Sequence, residues 1–184
     1  MGDVTQLIEQ ARAGDRGALD RIFGLLYPEL RGIAHRRLAP HERNVLLDTT
    51  ALVNECYLRF VQREGLRPED RAHFLAYAAA VMRSIIVDAA RQSLAERRGG
   101  DVQHQPLDTA AADSLAAPAE EIMDVDSALQ QLAKLDARLA QVVEMRYFGG
   151  MKDAEIAEAL SLSTRSVQRA WDKARLLLAH TLRG

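Results

Sequence analysis

Apolar residues recur along this chain at three- and four-residue intervals, and no stretch shows the period of two that a half-buried strand requires. Leu7, Ile8 and Ala11 predict a short amphipathic helix ended by Gly14, with Asp15 placed to cap the next one. Leu19, Ile22, Phe23, Leu26, Leu30, Ile33 and Leu38 predict that second helix, with Pro28 inside it where a kink is expected. A third runs from about Thr50 to Gln62, with Leu52, Val53, Cys56, Tyr57 and Phe60 facing inward. Residues 63–71, with Gly65, Pro68 and several charges, read as a loop. A fourth helix, roughly 72–95, carries Phe74, Tyr77, Val81, Ile85 and Val87.

From Gly99 to Pro118 the pattern dissolves into Gly, Pro, Ala, Asp and Gln, which is the chemistry of a linker. Helical spacing resumes at Ile122 and continues through Leu129, Leu132, Leu135 and Leu139. Val142, Val143, Met145 and Tyr147 follow, then a Gly149-Gly150 break and two further helices. The expectation is an all-α chain of two small helical domains, 1–98 and 122–184, joined by a flexible acidic linker, 99–121. An aromatic content of only 5% also argues against a β-sandwich or barrel.

Charge sharpens this division. The net charge of −2 splits into a first module with 15 Arg against 13 acids, a segment 99–133 with seven acids and no Lys or Arg, and a final module with nine basic against six acidic residues. Two mildly basic bodies therefore flank an acidic connector, and each could meet an anion. Arg outnumbers Lys 21 to 3, and its planar fork suits phosphate and base edges.

The remaining composition excludes more than it assigns. A single cysteine, Cys56, permits no internal disulfide, the start Met1-Gly2-Asp3-Val4 is not a secretory leader, and no membrane span is expected, so the chain reads as cytoplasmic. His35, His41, His73, His104 and His180 lack metal-ligand spacing, and Gly99-Gly100 follows no strand that would make it a phosphate-cradling loop. With no nucleophile-and-base constellation and no paired carboxylates, neither an enzyme nor a cofactor is expected.

The most specific local signal lies in residues 153–178. Ile156, Ala157 and Leu160 form one face of a short helix, Leu162 points inward from a tight turn, and Ser163 caps a second helix anchored by Val167, Ala170 and Ala174. A small residue, an apolar turn residue and an apolar anchor in this order describe a helix-turn-helix, whose crossing needs close approach at those points. The second helix would present Thr164, Arg165, Gln168, Arg169 and Asp172 outward. Arg to guanine and Gln to adenine are the bidentate pairings of the major groove, while Lys173 and Arg175 would serve phosphates. Ser161 stands in the turn where glycine is usual, because a positive φ is wanted there. The competing reading is an amphipathic hairpin whose arginines are merely solvated.

The first module tips this balance. Thr50-Ala-Leu-Val-Asn-Glu-Cys-Tyr-Leu-Arg-Phe60 resembles the helix by which extracytoplasmic-function sigma factors grip the clamp of bacterial RNA polymerase. Phe74-Leu-Ala-Tyr77, Met82-Arg-Ser and Asp88-Ala-Ala-Arg91 resemble their next helix, which faces the −10 promoter element, and Arg97-Arg-Gly-Gly100 closes the block. Leu135-Asp-Ala-Arg138 and Val142-Val-Glu-Met-Arg-Tyr-Phe-Gly-Gly150 resemble the start of their −35-reading domain. The resemblance implies core polymerase, through its clamp coiled coil and flap region, and promoter DNA as partners. It assigns −35 contacts to Thr164, Arg165, Ser166, Gln168, Arg169, Lys173 and Arg175, and −10 contacts to Tyr77, Arg83, Ser84 and Arg91. Polymerase contacts fall on Asp48, Thr50, Leu52, Val53, Asn54, Glu55 and Arg59. Phe74 is expected in the core, and Tyr77 either there or on a base; Asp88 is expected to orient Arg91 or Arg83. The family commonly has Trp where Tyr77 stands and Asn where Ser84 stands.

One departure is larger. Most such factors carry a run of Asp and Glu before the clamp-binding helix, whereas this chain has Asp48-Thr49-Thr50-Ala51. Sigma factors of this acid-poor kind resemble one another in being associated with Ser/Thr kinases. A phosphate on Thr50, or on Thr49, would restore about −1.5 to −2 charges at a helix N-terminus. Alternatively Thr49 or Asp48 caps the helix and Thr50 is simply exposed. The competing function is a helix-turn-helix regulator without sigma activity.

Overall fold

A computed structural model describes residues 2–38, 47–62, 68–99 and 109–182. Eight helices make up its regular structure: α1 (Gly2–Arg12), α2 (Arg16–Leu38), α3 (Thr49–Gln62), α4 (Arg71–Gly99), α5 (Thr109–Leu135), α6 (Ala137–Tyr147), α7 (Asp153–Ala159) and α8 (Thr164–Thr181). There is no strand among the described residues, as the spacing of apolar residues predicts.

The first four helices close around a shared interior that takes in Leu75 and Met82 besides predicted inward residues. Ile8, Ile22, Leu30, Leu52, Phe60, Phe74, Leu75 and Met82 are fully buried. Phe23 stands edge-on to Phe60, Tyr57 and Phe74, with ring centroids 4.9, 5.1 and 5.5 Å away, the arrangement favoured by ring quadrupoles. Phe74 is thus a core residue. Cys56 lies in the same interior, where burial pushes its thiol up to about 12, so it stays protonated and serves packing. Gly14, at φ 102, breaks the chain between α1 and α2, and the Asp15 carboxylate accepts the Gly17 N–H at 2.9 Å.

Helical structure reaches further into the 99–121 segment than a linker would allow. α4 continues to Gly99 and α5 already begins at Thr109. Alanine is the strongest helix former, and Ala110, Ala111, Ala112, Ala116 and Ala117 favour helix in a stretch whose lack of apolar periodicity had read as loop. Residues 100–108 of that segment lie outside the described residues, as do 63–67 of the expected loop and His41 and His104. Residues 68–70 are non-helical as expected.

Nor are the two halves separate bodies. α5 runs along α4, and α6 and α7 also pack on it, so that Leu129, Leu132, Val142, Met151, Ile156 and Val167 join the interior of α1–α4 in one apolar cluster. Residues Arg71–Glu96 of α4 are long and apolar enough to cross a bilayer, but 56% of the 18-residue apolar window within them is buried inside the protein. It is the central helix of the core, which is why it is apolar on several sides at once.

Candidate functional site

The C-terminal hairpin has the geometry its sequence implies. Ile156, Ala157, Val167 and Ala174 are buried where α7 meets α8, and Leu162 packs against them from the turn. Ser161 adopts φ 52, the left-handed conformation that favours glycine. Ser163 caps α8, its Oγ accepting the Ser166 N–H at 3.1 Å and lying 2.9 Å from the Ser166 hydroxyl. Thr164, Arg165, Gln168, Arg169 and Lys173 stand exposed on α8, and so does Arg175. Ser166 does not join them: it is half-buried and its hydroxyl is engaged at the cap. Arg146, paired with Asp153, stacks over the Trp171 ring at 4.7 Å and fixes α8 against α6 and α7.

A second surface lies between α3 and α4. Arg59, Gln62, Tyr77, Ala80, Val81 and Ser84 line an open depression of about 430 Å³. Tyr77 is half-buried, its ring edge-on to Phe60 at 4.7 Å, so it serves the core and the depression together. The Arg59 guanidinium donates to Ser84 Oγ at 2.8 Å and pairs with Asp88 at 3.0 Å and Glu55 at 3.2 Å. Partial burial works against its charge, but these carboxylates outweigh burial and raise its pKa. Arg59, expected on the polymerase side of α3, therefore belongs to the depression. Asp88 orients Arg59 and, at 3.5 Å, Arg91, but not Arg83.

Arg83 is not free to face DNA. Its Nη1 donates to Glu144 at 2.8 Å, its Nη2 to Asp126 at 2.7 Å and its Nε to the same Asp126 oxygen at 3.1 Å. Burial disfavours the charged form, yet the two carboxylates prevail and hold the guanidinium above its ordinary value. Arg91 remains exposed at the rim of a smaller cleft of about 280 Å³ that Arg83, Ser84, Asp126 and Glu144 also line. The sequence signals the helix that carries Arg83 but not the α5 and α6 acids that cover it.

On α3 the predicted polymerase contacts divide. Leu52 and Val53 are 0% and 1% exposed, so they serve the interior; their place on the same stripe as Cys56 and Phe60 requires it. Glu55 is half-buried against Arg59, whereas Thr50 and Asn54 are exposed. Asp48 caps the helix, its Oδ1 accepting the Ala51 N–H at 2.8 Å. Two residues escaped the sequence reading: Leu58 and Val61, 47% and 52% exposed, continue the outward stripe of Thr50 and Asn54. Their signal was their position off the inward stripe, where an apolar residue gains nothing from the core.

No group of His, Cys, Asp and Glu among the described residues could hold a metal ion. The family model described as ECF sigma factor matches residues 1–184. No curated protein matches the chain.

Proposed function

The chain belongs to the ECF sigma factor family, and on that premise we propose how its residues divide the work. As a sigma factor it binds core RNA polymerase and promoter DNA in transcription initiation. In this reading residues 122–184 read the −35 element, residues 1–98 hold the polymerase clamp and read the −10 element, and 99–121 connect them while the second module also meets the flap. The protein acts by binding, in the cytoplasm, and its residues catalyse nothing.

The observation that carries the reading is the open face of α8, where Thr164, Arg165, Gln168 and Arg169 stand exposed above a buried Val167 anchor. That face offers the donors the major groove rewards, with Lys173 and Arg175 at its flanks for phosphates. The α3–α4 depression offers Tyr77, Ser84 and Arg59 to unstacked −10 bases, since aromatic and guanidinium surfaces hold single strands. The clamp would meet the Thr50, Asn54, Leu58 and Val61 stripe. A reconstituted transcription assay with core polymerase tests the whole: a sigma factor makes core initiate at a promoter, whereas a helix-turn-helix regulator without sigma activity does not.

The finer part of the proposal concerns activation. The chain is of the acid-poor, kinase-associated kind, and a Ser/Thr kinase transfers the γ-phosphoryl group of ATP to the Thr50 hydroxyl, releasing ADP and the hydroxyl proton. Exposure of Thr50 in the first turn of α3, with Asp48 already at the cap, supports Thr50 over the half-buried Thr49. The new dianion lies at the positive end of the helix and forms charge-assisted bonds to polymerase arginines. In a pull-down, core polymerase should be retained by the phosphorylated chain and by Thr50→Glu, and weakly by unmodified chain and by Thr50→Ala. Equal, strong retention of Thr50→Ala would remove the switch and leave the sigma role standing.

A further inference from the structure

Of the five N–H groups of Arg59, three are engaged among the described residues: Nε with Glu55 at 3.2 Å, Nη1 with Ser84 Oγ at 2.8 Å and Nη2 with Asp88 at 3.0 Å. We propose that this arrangement lets the α3–α4 depression select among bases, holding guanine or cytosine, whose edges carry two adjacent acceptors, and rejecting adenine and thymine.

A serine hydroxyl is ordinarily ambivalent, because it rotates to give or to accept. At Ser84 the oxygen receives a charge-assisted N–H from Arg59, so its own proton points elsewhere. A helical serine can direct that proton to the carbonyl four residues back, but Ser84 makes no such bond among the described residues. Ser84 is exposed and lines the depression, so its O–H is available to a base there. Neither Asp88 nor Glu55 lines the depression; their oxygens fix the guanidinium without offering an acceptor to its contents. They also hold Arg59 charged against its partial burial. Gln62 and the Tyr77 hydroxyl can each give or accept, and Ala80 and Val81 supply apolar wall, so none of these sets a polarity. The polarity comes from two neighbouring donors, the Ser84 O–H and an Arg59 N–H.

Bases differ in what they bring to such a pair. Guanine carries N7 beside O6, and cytosine carries N3 beside O2. Adenine sets its amino donor beside both N7 and N1, and thymine separates O2 from O4 by an N–H. A base that turns a donor toward a donor leaves polar groups unpaired, which costs more than a missing contact. A depression of about 430 Å³ has room for a purine or a pyrimidine, with the Tyr77 ring in its lining for stacking. This inference rests on the proposed reading in taking the depression as the seat of a −10 base; it adds Arg59 as the residue that positions the Ser84 hydroxyl.

The test retains single strands from a randomised DNA pool on the full chain assembled with core polymerase, and sequences what is kept. One position should be enriched about tenfold in guanine or cytosine over adenine and thymine. Arg59→Met, which keeps the stem and removes the fork, should reduce that preference to about twofold, and so should Ser84→Ala; combining them should reduce it little further, because both act through one hydroxyl. Strands carrying 7-deazaguanine or 3-deazacytosine at that position, each lacking one acceptor, identify the base held. The wild-type chain should bind the analogue of its base about tenfold more weakly than the base itself, and Ser84→Ala should not tell them apart. If Arg59→Met fails to fold, the Ser84→Ala comparison with the analogues decides alone. Weaker retention of all four bases alike in Arg59→Met, with the preference intact, would make Arg59 merely structural and overturn the proposal. So would a position that responds to Arg59→Met but favours adenine or thymine. A wild-type chain that never makes core initiate sinks the sigma reading, and the pool retained on the chain alone then decides the preference. An initiating holoenzyme without the preference sinks the preference alone.

Discussion

At Ser161 a residue with a side chain holds φ 52, next to a helix-turn-helix crossing that leaves no slack. A non-glycine residue in that region costs about 1–2 kcal/mol. Ser161→Gly is therefore expected to stabilise the chain by about 1 kcal/mol, a rise of about 2–4 °C in Tm by differential scanning calorimetry. The sequence already exposed this residue, because a turn between two short helices dictates its own backbone. Residues whose roles depend on distant partners were harder to read. Arg83 and Arg59 were legible as basic positions on the right helices, but their partners lie 25 to 61 residues away in sequence, apart from the local Glu55. No periodicity reports such a separation.

Among the elements, α8 was the most legible, since burial of Val167 and Ala174 alone fixes which residues turn outward. In the proposed reading its exposed residues divide by chemistry into base readers and phosphate holders. Arg165→Ala should cost about 1–3 kcal/mol on the preferred −35 sequence and relax discrimination there, whereas Lys173→Ala should weaken all sequences alike and reduce the salt slope by about one. Competition binding against scrambled −35 duplexes, repeated over a salt series, separates the two; an Arg165→Ala chain with unaltered preference would refute the assigned face. α3 was half legible. Its inward stripe predicted Cys56 and Phe60 in the core, and the same stripe should have withdrawn Leu52 and Val53 from the polymerase set. α5 was least legible at its start, because alanine favours helix without marking a face.

Across the whole molecule, the contact between the halves is partly ionic and so responds to acid. Burial favours the neutral form of Glu155, but the Lys152 backbone N–H at 2.8 Å and the Arg71 guanidinium outweigh it and hold the carboxyl below its ordinary value. Stabilisation from this group is fully present above the unfolded-state pKa of about 4.3 and disappears as pH falls through the lower folded value. Thermal melts of wild type and Glu155→Gln should therefore differ most at neutral pH and converge as the pH falls below the ordinary carboxylate range. A constant offset across that range would place the Glu155 contribution in packing instead of charge. Burial of the apolar stripes was legible from their spacing, but the packing of the two halves on each other was not, because a stripe predicts burial without naming the surface that provides it.

The route of α4 through the molecule bears on how freely its halves can be exchanged. One helix supplies Phe74 to its own bundle and offers Arg71, Ala79 and Arg83 to the other. A grafted second module that lacked counterparts to Asp126, Glu144, Glu155 and the paired glycines Gly149 and Gly150 would leave α4 without the surface that covers it. Such a hybrid would be assembled from sound components whose joint no longer fits, so designers of orthogonal transcription switches would need to transplant the seam together with the reader.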